Sequence, residues 1–600
     1  MADVANLLKE VFSIQELIKY VSDLSYFHRI QGSNEIESAG RYIYEVLKET
    51  SPLFEVRLHE FSYLKSYGVL RPITGWWVRD AELKLVKPGR KLLHNFRTSR
   101  TLVIAHSPGG EVEGKVVYVG QGDRPKHYEG VSVEGKVVLA HGTPYLVYRE
   151  ASRRGAAAVL LYREGRGPET AVPYIGLFLE PDEFKEARTP ALSISRATAN
   201  ELIRYIRSGD RPVVHAKVVA GYRDDPHIPV ITAKLGDAED EVHVFAHYCH
   251  PGGTVNDNVS GSAVLLELVK TFSRVLEGSS LTPPKKHSIV FLWFPEYSGS
   301  LAYLLSRDTS NIVFGINLDM VGEKQCTTNS VLIFMRSPPS MFHPYEAVVY
   351  YEVKKLVARA SPFSSPKKIV TVRFDTSPYE TGSDHDMYLH LSIPAVMLNQ
   401  WPDRFYHTDQ DTIDKFDPEV ASLIGVGVGS AAYKVSSADV SEELLRSYVL
   451  EYLGSETSWI ESNYAEFRFK YLCSKLIGNL RKHYGKTLGL ESLCRELGEI
   501  HDTSSEKYVY TGPPGIVELR LLFKRLPAEE YYRLEDMLSK ERHLRMLLSG
   551  FIPMVLRKPM SLEELRDVVL GELGISVNEN KLRVLLEVLV KSGLAEKHGT

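Results

Sequence analysis

Phe405-Tyr406-His407-Thr408-Asp409-Gln410-Asp411-Thr412 follows the apolar run Ile393 to Leu398 and the segment Gly382-Ser383-Asp384-His385-Asp386. A histidine just beyond a buried strand, with acids on both sides, is what a zinc site at the edge of a sheet needs. Three more hydrophobic runs close on such residues: His247-Tyr248-Cys249-His250-Pro251 leading to Asn256-Asp257-Asn258, then Phe294-Pro295-Glu296, then Asn317-Leu318-Asp319-Met320. Four such endings predict one metal centre assembled from distant segments.

Working outward, residues 240 to 435 alternate apolar strands with helices: Val242 to Ala246, Val264 to Phe272, Ser288 to Phe294, Ile312 to Leu318, Tyr345 to Val357, Ile369 to Phe374 and Ile393 to Leu398. That alternation predicts an α/β fold with a mostly parallel central sheet flanked by helices. Ligands in such sheets bind beyond the carboxyl ends of the strands, where all four candidate segments fall.

Residues 13 to 49 read as two helices around a turn at Gln31-Gly32-Ser33-Asn34, followed by an alternating strand, Phe54 to Phe61. From about 70 to 220 the pattern turns β-rich, and Glu113-Gly114-Lys115-Val116-Val117 is echoed by Glu134-Gly135-Lys136-Val137-Val138. With no third copy, the echo marks two similar strand entries. A helix plus strand over Ala151 to Tyr162 completes a small inserted α/β unit. After Ser436-Ser437-Ala438-Asp439 the pattern is helical to about 505, with a turn at Gly512-Pro513-Pro514-Gly515. The tail, Ser561 to Lys597, reads as two helices, Gly593 and a short terminal run. The boundaries predicted are a catalytic domain over 1–69 and 221–437, an inserted domain over 70–220, and a C-terminal helical domain over 438–600.

At 600 residues the chain exceeds one core, and 44% hydrophobic with 25% charged residues is ordinary for a globular protein. A net charge of -4 gives no global attraction to nucleic acid or anionic membrane. In the tail, nine Lys/Arg face eight Asp/Glu from Glu541 to Thr600, which is not the footprint of a DNA reader. Without a signal-type apolar segment or a membrane-length run, the default address is the cytoplasm. Cys249, Cys326, Cys473 and Cys494 lack metal-type spacing and are too few to staple the chain; they read mostly as small buried side chains.

Asp257, between two asparagines before a helix, can bridge two cations. His247 and His250 compete as the ligand from their segment: His250 is followed by Pro251-Gly252-Gly253, and His247 is the alternative or a supporting partner. Cys249 is expected to point away from His250 in an extended segment. Glu296 suits the base that takes a proton from water activated by the metal, or serves as a ligand. Asp319 and His407 complete the set. Asp384, with His385 and Asp386, reads as orienting the ligands, and Asp409 and Asp411 as caps of a helix.

Taken together, segments 28–34, 256–263, 315–322, 382–386 and 406–412 resemble the zinc aminopeptidase family that also contains glutaminyl cyclases. Cys249-His250-Pro251, Pro295-Glu296 and the tail are similar to its aminopeptidase-like branch with a winged-helix unit. The region with Gly135-Lys136-Val137-Val138 and Arg154-Gly155-Ala156-Ala157-Ala158 resembles a protease-associated domain. The resemblance implies one or two zinc ions held by His250, Asp257, Glu296, Asp319 and His407, and removal of N-terminal residues from peptides with Glu296 as general base. Two departures stand out: His247-Tyr248-Cys249 where the family shows histidine, spacer, aspartate, and Pro295-Glu296 where it often pairs glutamates. They keep open a catalytically silent binding or scaffold protein, and a glutaminyl cyclase shares the fold. The partner expected is a peptide, with no nucleic acid and no membrane; a homo-oligomer is compatible.

Overall fold

The computed structural model describes residues 3–598 apart from 51, 166, 279 and 494–505. Its larger sheet has eight strands in the order Phe54–Ser62, His227–Leu235, Ser288–Phe294, Glu241–His247, Ile312–Asp319, Ala395–Trp401, Val331–Met335, Phe374–Ser377. The four central strands, from Ser288–Phe294 to Ala395–Trp401, run parallel, and the next strand on each side, His227–Leu235 and Val331–Met335, runs antiparallel to them. Their residues are buried on both faces, which explains the near-continuous apolar runs. Helices Gly261–Glu277 and Pro418–Ser437 pack on the sheet as one group with Val4–Val11, while Ser298–Leu305 and His385–His390 form another.

Helix Gly261–Glu277 starts directly behind the Asp257 loop. A Cβ on Gly261 would lie 2.4 Å from the Leu318 carbonyl oxygen, so only glycine lets the helix start this close to the neighbouring strand. The predicted turn at 31–34 is present, with Ser33 capping helix Asn34–Lys48 by accepting from the Ile36 N–H. Two strands escaped the sequence reading, His227–Leu235 and Val331–Met335. The strand expected over Ile369–Phe374 is corrected: Ile369–Val370 pairs with Ala358–Ala360 in a small exposed hairpin, and the sheet strand begins at Phe374. Ile369 and Val370 are 44% and 40% exposed, so they lack the burial an inner strand requires.

Residues 75–223 build a separate seven-stranded sheet with its own hydrophobic core. The echoed motifs lie side by side there, Val116 and Val117 pairing in parallel with Val137 and Val138. The C-terminal helices, by contrast, share the core of the larger sheet. The Gly512–Gly515 turn docks through the Pro514 carbonyl onto the Val69 N–H at 2.9 Å. In the tail, Ser561 and Glu564 cap helix Leu562–Leu573 reciprocally, and Ala595–His598 pairs with Lys507–Tyr510. Cys249 and Cys473 are buried as expected, Cys473 as a disulfide-bonded half rather than a thiol, whereas Cys326 is exposed and Cys494 lies outside the described residues. Among the described residues no helix is long and apolar enough to cross a membrane.

Candidate metal centre

His247 and Asp319 end adjacent parallel strands, Glu296 lies two residues past Phe294, and His407 follows the strand ending at Trp401. All four meet around Asp257. The Asp257 Oδ1 oxygen is 3.1 Å from His250 Nε2 and 3.6 Å from His247 Nε2, and its Oδ2 is 2.8 Å from His407 Nε2. His247 Nε2 also lies 3.3 Å from Asp319 Oδ1, and His250 Nε2 3.7 Å from Glu296 Oε2. Three overlapping donor groups result: His250, Asp257 and His407; His247, Asp257 and Asp319; and His247, Cys249, His250 and Glu296, each with its ligand atoms within 4.8 Å of one another.

The choice between His247 and His250 therefore dissolves, because both imidazoles reach the cluster. The reason is the backbone: His250 has φ +97°, which breaks the two-residue alternation of an extended segment. It also brings Cys249 in rather than away, with Sγ 3.5 Å from His247 Nδ1 and accepting from the Glu296 N–H at 3.4 Å. Tyr297, Met320 and His407 likewise have positive φ, at +56°, +60° and +54°. Left-handed backbone at a non-glycine residue costs about 1 kcal/mol or more, and its concentration beside the candidate ligands is typical of functional sites.

The loops are tied from behind. Arg29, fully buried, spends its guanidinium on main-chain carbonyls of Tyr248 at 2.7 Å, Leu24 at 2.6 Å, Phe27 at 2.8 Å and Thr254 at 3.3 Å, and its own carbonyl accepts from the His250 N–H. Asn258 donates to the Leu318 carbonyl at 2.8 Å and accepts from the Met320 N–H at 3.0 Å, stapling the Asp257 loop to the strand that ends in Asp319. Asp411 accepts from the Asn256 and Asp257 N–H groups at 3.0 and 3.3 Å, and Asp409 from the Val172 N–H at 2.8 Å. Neither caps a helix, as the sequence had suggested; Asp417 does. Asp384 accepts from the Tyr297 N–H at 2.7 Å and from Ser300, fixing the turn after Glu296. Asp386 accepts from the Tyr379 hydroxyl and the Gly382 N–H, and His385 bonds the Glu380 carbonyl.

Aromatic rings wall the cluster. Tyr406 stacks on His407 with centroids 3.8 Å apart, and Trp401 meets Tyr406 edge-on. Phe405 instead turns into the core beneath Lys415. The insert supplies Tyr174, 5.4 Å from both the His250 and His407 rings, while the Tyr174 N–H donates to the His407 carbonyl at 2.7 Å. Sequence reasoning missed Tyr174 and Arg29 as builders of the site, while the expectation that the amides beside Asp257 hold its loop is met by Asn258.

Burial disfavours an ionised Asp257, yet His250 and His407 hold it well below the usual carboxylate range. Burial drives Glu296 well above that range; His247 opposes the shift, and Asp384, Asp257 and Asp319 add to it. Burial pushes Asp384 up to about 7 and, with Asp403, Asp411 up to about 8. His407 is pulled down to about 4 by burial, against the attraction of Asp257. A neutral imidazole is the form that ligates a metal.

The donor set fits a divalent cation. Ligand atoms around a tetrahedral zinc, each about 2.0–2.2 Å from it, stand roughly 3.3 Å apart, and the contacts here run from 2.8 to 3.7 Å. The Asp319 Oδ1 atom is buried without a hydrogen-bond partner, a vacancy in bonding that a cation would fill.

Carboxylates and imidazoles thus gather beyond the parallel strands of a helix-flanked sheet. Residues 230–430 match the model of peptidase family M28. Among solved structures it is similar to a zinc aminopeptidase from Bacillus subtilis, BSAP, at 18% identity and TM-score 0.50, covering 72% of this chain and 97% of that one. It is also similar to a peptidase M28 precursor from Shewanella amazonensis at 14% identity and TM-score 0.53, covering 73% and 96%. At these identities the likeness is one of fold. No curated protein matches the sequence.

Proposed function

We propose that this protein is a zinc-dependent aminopeptidase that removes N-terminal residues from peptides. The observation that carries the proposal is the convergence of His247, His250 and His407 on Asp257, with Glu296 and Asp319 alongside. In this reading His250, Asp257 and His407 would hold one ion, and His247, Asp257 and Asp319 would hold a second. Zinc in such a site supplies Lewis acidity, polarising the scissile carbonyl and acidifying water. Glu296 accepts the water proton on its carboxylate and delivers it to the leaving amine. Asp384 holds the backbone that carries Glu296, and the Cys249 thiol occupies the Nδ1 side of His247, where the family's aspartate would stand. Tyr174 and Tyr406 exclude water from the imidazole faces. The region 70–220 is taken as a protease-associated-type insert and the tail as a winged-helix-like unit with a packing role.

The purified protein should release a free amino acid from an unblocked peptide and spare its N-acetylated form. Chelation should abolish the release, and Glu296→Gln should slow it by about 10²–10⁴-fold, the range for losing a general base. Chelator-resistant turnover, or a Glu296→Gln variant as fast as the parent, would sink the assignment.

A further inference from the structure

A cavity of about 680 Å³ lies at the opposite ends of the strands that lead to the metal centre. One wall is formed by Ile312 and Pro394, where strands Ile312–Asp319 and Ala395–Trp401 begin. At about 3.3 Å per residue, the eight-residue strand ending in Asp319 sets this cavity roughly 20 Å from the candidate ligands. The facing wall is helix Ser462–Tyr484, on which Tyr471, Lys475, Asn479, Lys482 and His483 recur at helical spacing and so share one side. Asn479 fixes that helix by donating to the Pro339 and Ser340 carbonyls, each at 3.1 Å.

The size is that of a small-molecule site, and the open charge on its wall is positive. Lys475, Lys482 and Lys558 line it, and among the described residues none of the three has an ion pair. Lys475 rests against the Tyr471 ring, 5.1 Å from its centroid. The acid on the wall, Glu572, is 1% exposed and already accepts from the Tyr471 hydroxyl at 2.6 Å and the Ser340 N–H at 3.1 Å. Three ammonium groups are therefore left to repel one another around one opening, and a multivalent anion relieves that repulsion.

A buried donor on the same wall also lacks an acceptor. The Tyr345 N–H donates to His343 Nδ1 at 3.3 Å, so this imidazole carries its proton on Nε2. His343 is 8% exposed and lines the cavity, and its Nε2–H has no hydrogen-bond partner among the described residues. Burial, then the charges of His483, His287, Lys286 and Lys482, hold His343 well below the ordinary histidine range, which keeps it a neutral donor. An unmade hydrogen bond at a buried group is costly, and an anion in the cavity supplies the acceptor.

We propose that this cavity is a binding site for a small phosphate-bearing anion, held by Lys475, Lys482, Lys558 and the His343 Nε2–H. Compact ammonium groups reaching in from separate elements suit the tetrahedral oxygens of a phosphate. A planar carboxylate is better matched by guanidinium forks, and no arginine lines this wall. The site is independent of the aminopeptidase reading.

The test is calorimetric titration of the full-length protein with inorganic pyrophosphate and, separately, with citrate at the same ionic strength. Pyrophosphate should bind about tenfold tighter than citrate or better. Because pyrophosphate also ligates zinc, the Asp257→Asn protein is the control, and it should bind pyrophosphate as the parent does. Lys475→Gln, Lys482→Gln and Lys558→Gln should each weaken binding by about tenfold, as loss of a charged hydrogen bond does. The triple variant should show no binding while its melting temperature stays at the parent value. The proposal is overturned if the parent does not bind pyrophosphate, or if citrate binds as tightly. It is equally overturned if binding disappears with Asp257, or if the triple glutamine variant binds like the parent.

Discussion

Two buried charge clusters sit in this molecule, and they are built on opposite plans. At the seam with the C-terminal helices, Glu456 lies between Arg336 and Arg468, with all three side chains at most 2% exposed. Arg336 also donates to Ser455 and Tyr448, and Arg468 to the main-chain carbonyls of Glu456, Leu570 and Gly571. No polar atom of that triad is left without a partner. Around Asp257, four carboxylates (Asp257, Glu296, Asp319 and Asp384) crowd together, and Asp319 Oδ1 and Asp384 Oδ2 have no hydrogen bond. A cluster that only holds elements together closes its own valences; one arranged to receive a cation crowds carboxylates and leaves oxygens open.

Replacing the shared carboxylate is the sharpest way to break this contrast. Asp257→Asn should lower bound zinc, measured by atomic emission, from at least one ion per chain to under about 0.1, because it removes a donor from both triads. A variant that keeps its zinc would show that the cluster is not arranged as described. At the seam the effect should appear in stability instead. Glu456→Ala leaves two buried guanidinium groups uncompensated and should cost about 3–5 kcal/mol in denaturant unfolding, while zinc content stays at the parent value. Loss of metal with loss of Glu456 would merge the two clusters into one system.

The smallest effect concerns the contact between the insert and the turn at 28–34. His28 and His106 are buried there, each pulled down to about 3 by burial. His106 bonds the Gln31 carbonyl at 3.0 Å, and His28 Nδ1 accepts from the Gly252 N–H at 3.2 Å. Because the unfolded imidazoles titrate near 6.5 and the folded ones near 3, the unfolded state binds more protons as pH falls between these values. Stability is full above pH 6.5 and should drop below it by about 1.4 kcal/mol per pH unit for each histidine. Unfolding midpoints at pH 7.5 and 5.5 should reveal the slope, and His106→Gln, which keeps a donor but does not titrate, should flatten it by about half. An unchanged slope would move the proton uptake elsewhere.

The larger sheet was legible because its central strands are buried on both faces and so are written as apolar runs, with Asp257, Glu296, Asp319 and His407 marked by falling just past them. His250 and Cys249 were harder. Their directions depend on a left-handed backbone at His250, which no side-chain pattern announces. Asp411 looked like a cap because acids near a helix start usually are, yet it bonds a loop 154 residues upstream in the sequence. Arg29 was silent because its role is made by contacts to main-chain groups that any sequence possesses, and Tyr174 because its ring meets His250 and His407 from a distant segment of the insert. Strand Val331–Met335 escaped notice because it is short and half of its alternation faces partly open space.

Ser62 and His227 are register partners in an antiparallel pair, so the polypeptide departs toward the insert and comes back at adjacent points of the sheet. Topologically the whole excursion is a hairpin connection enlarged to the size of a domain, and lengthening such a loop adds closure entropy only slowly, by about 0.6 kcal/mol per doubling. Joining the two strands by a tight turn would therefore leave the eight-stranded scaffold its native pairing while stripping the Tyr174 wall from the histidine cluster. The geometry thus separates the strands that build the larger sheet from the insert that sets Tyr174 against His250 and His407.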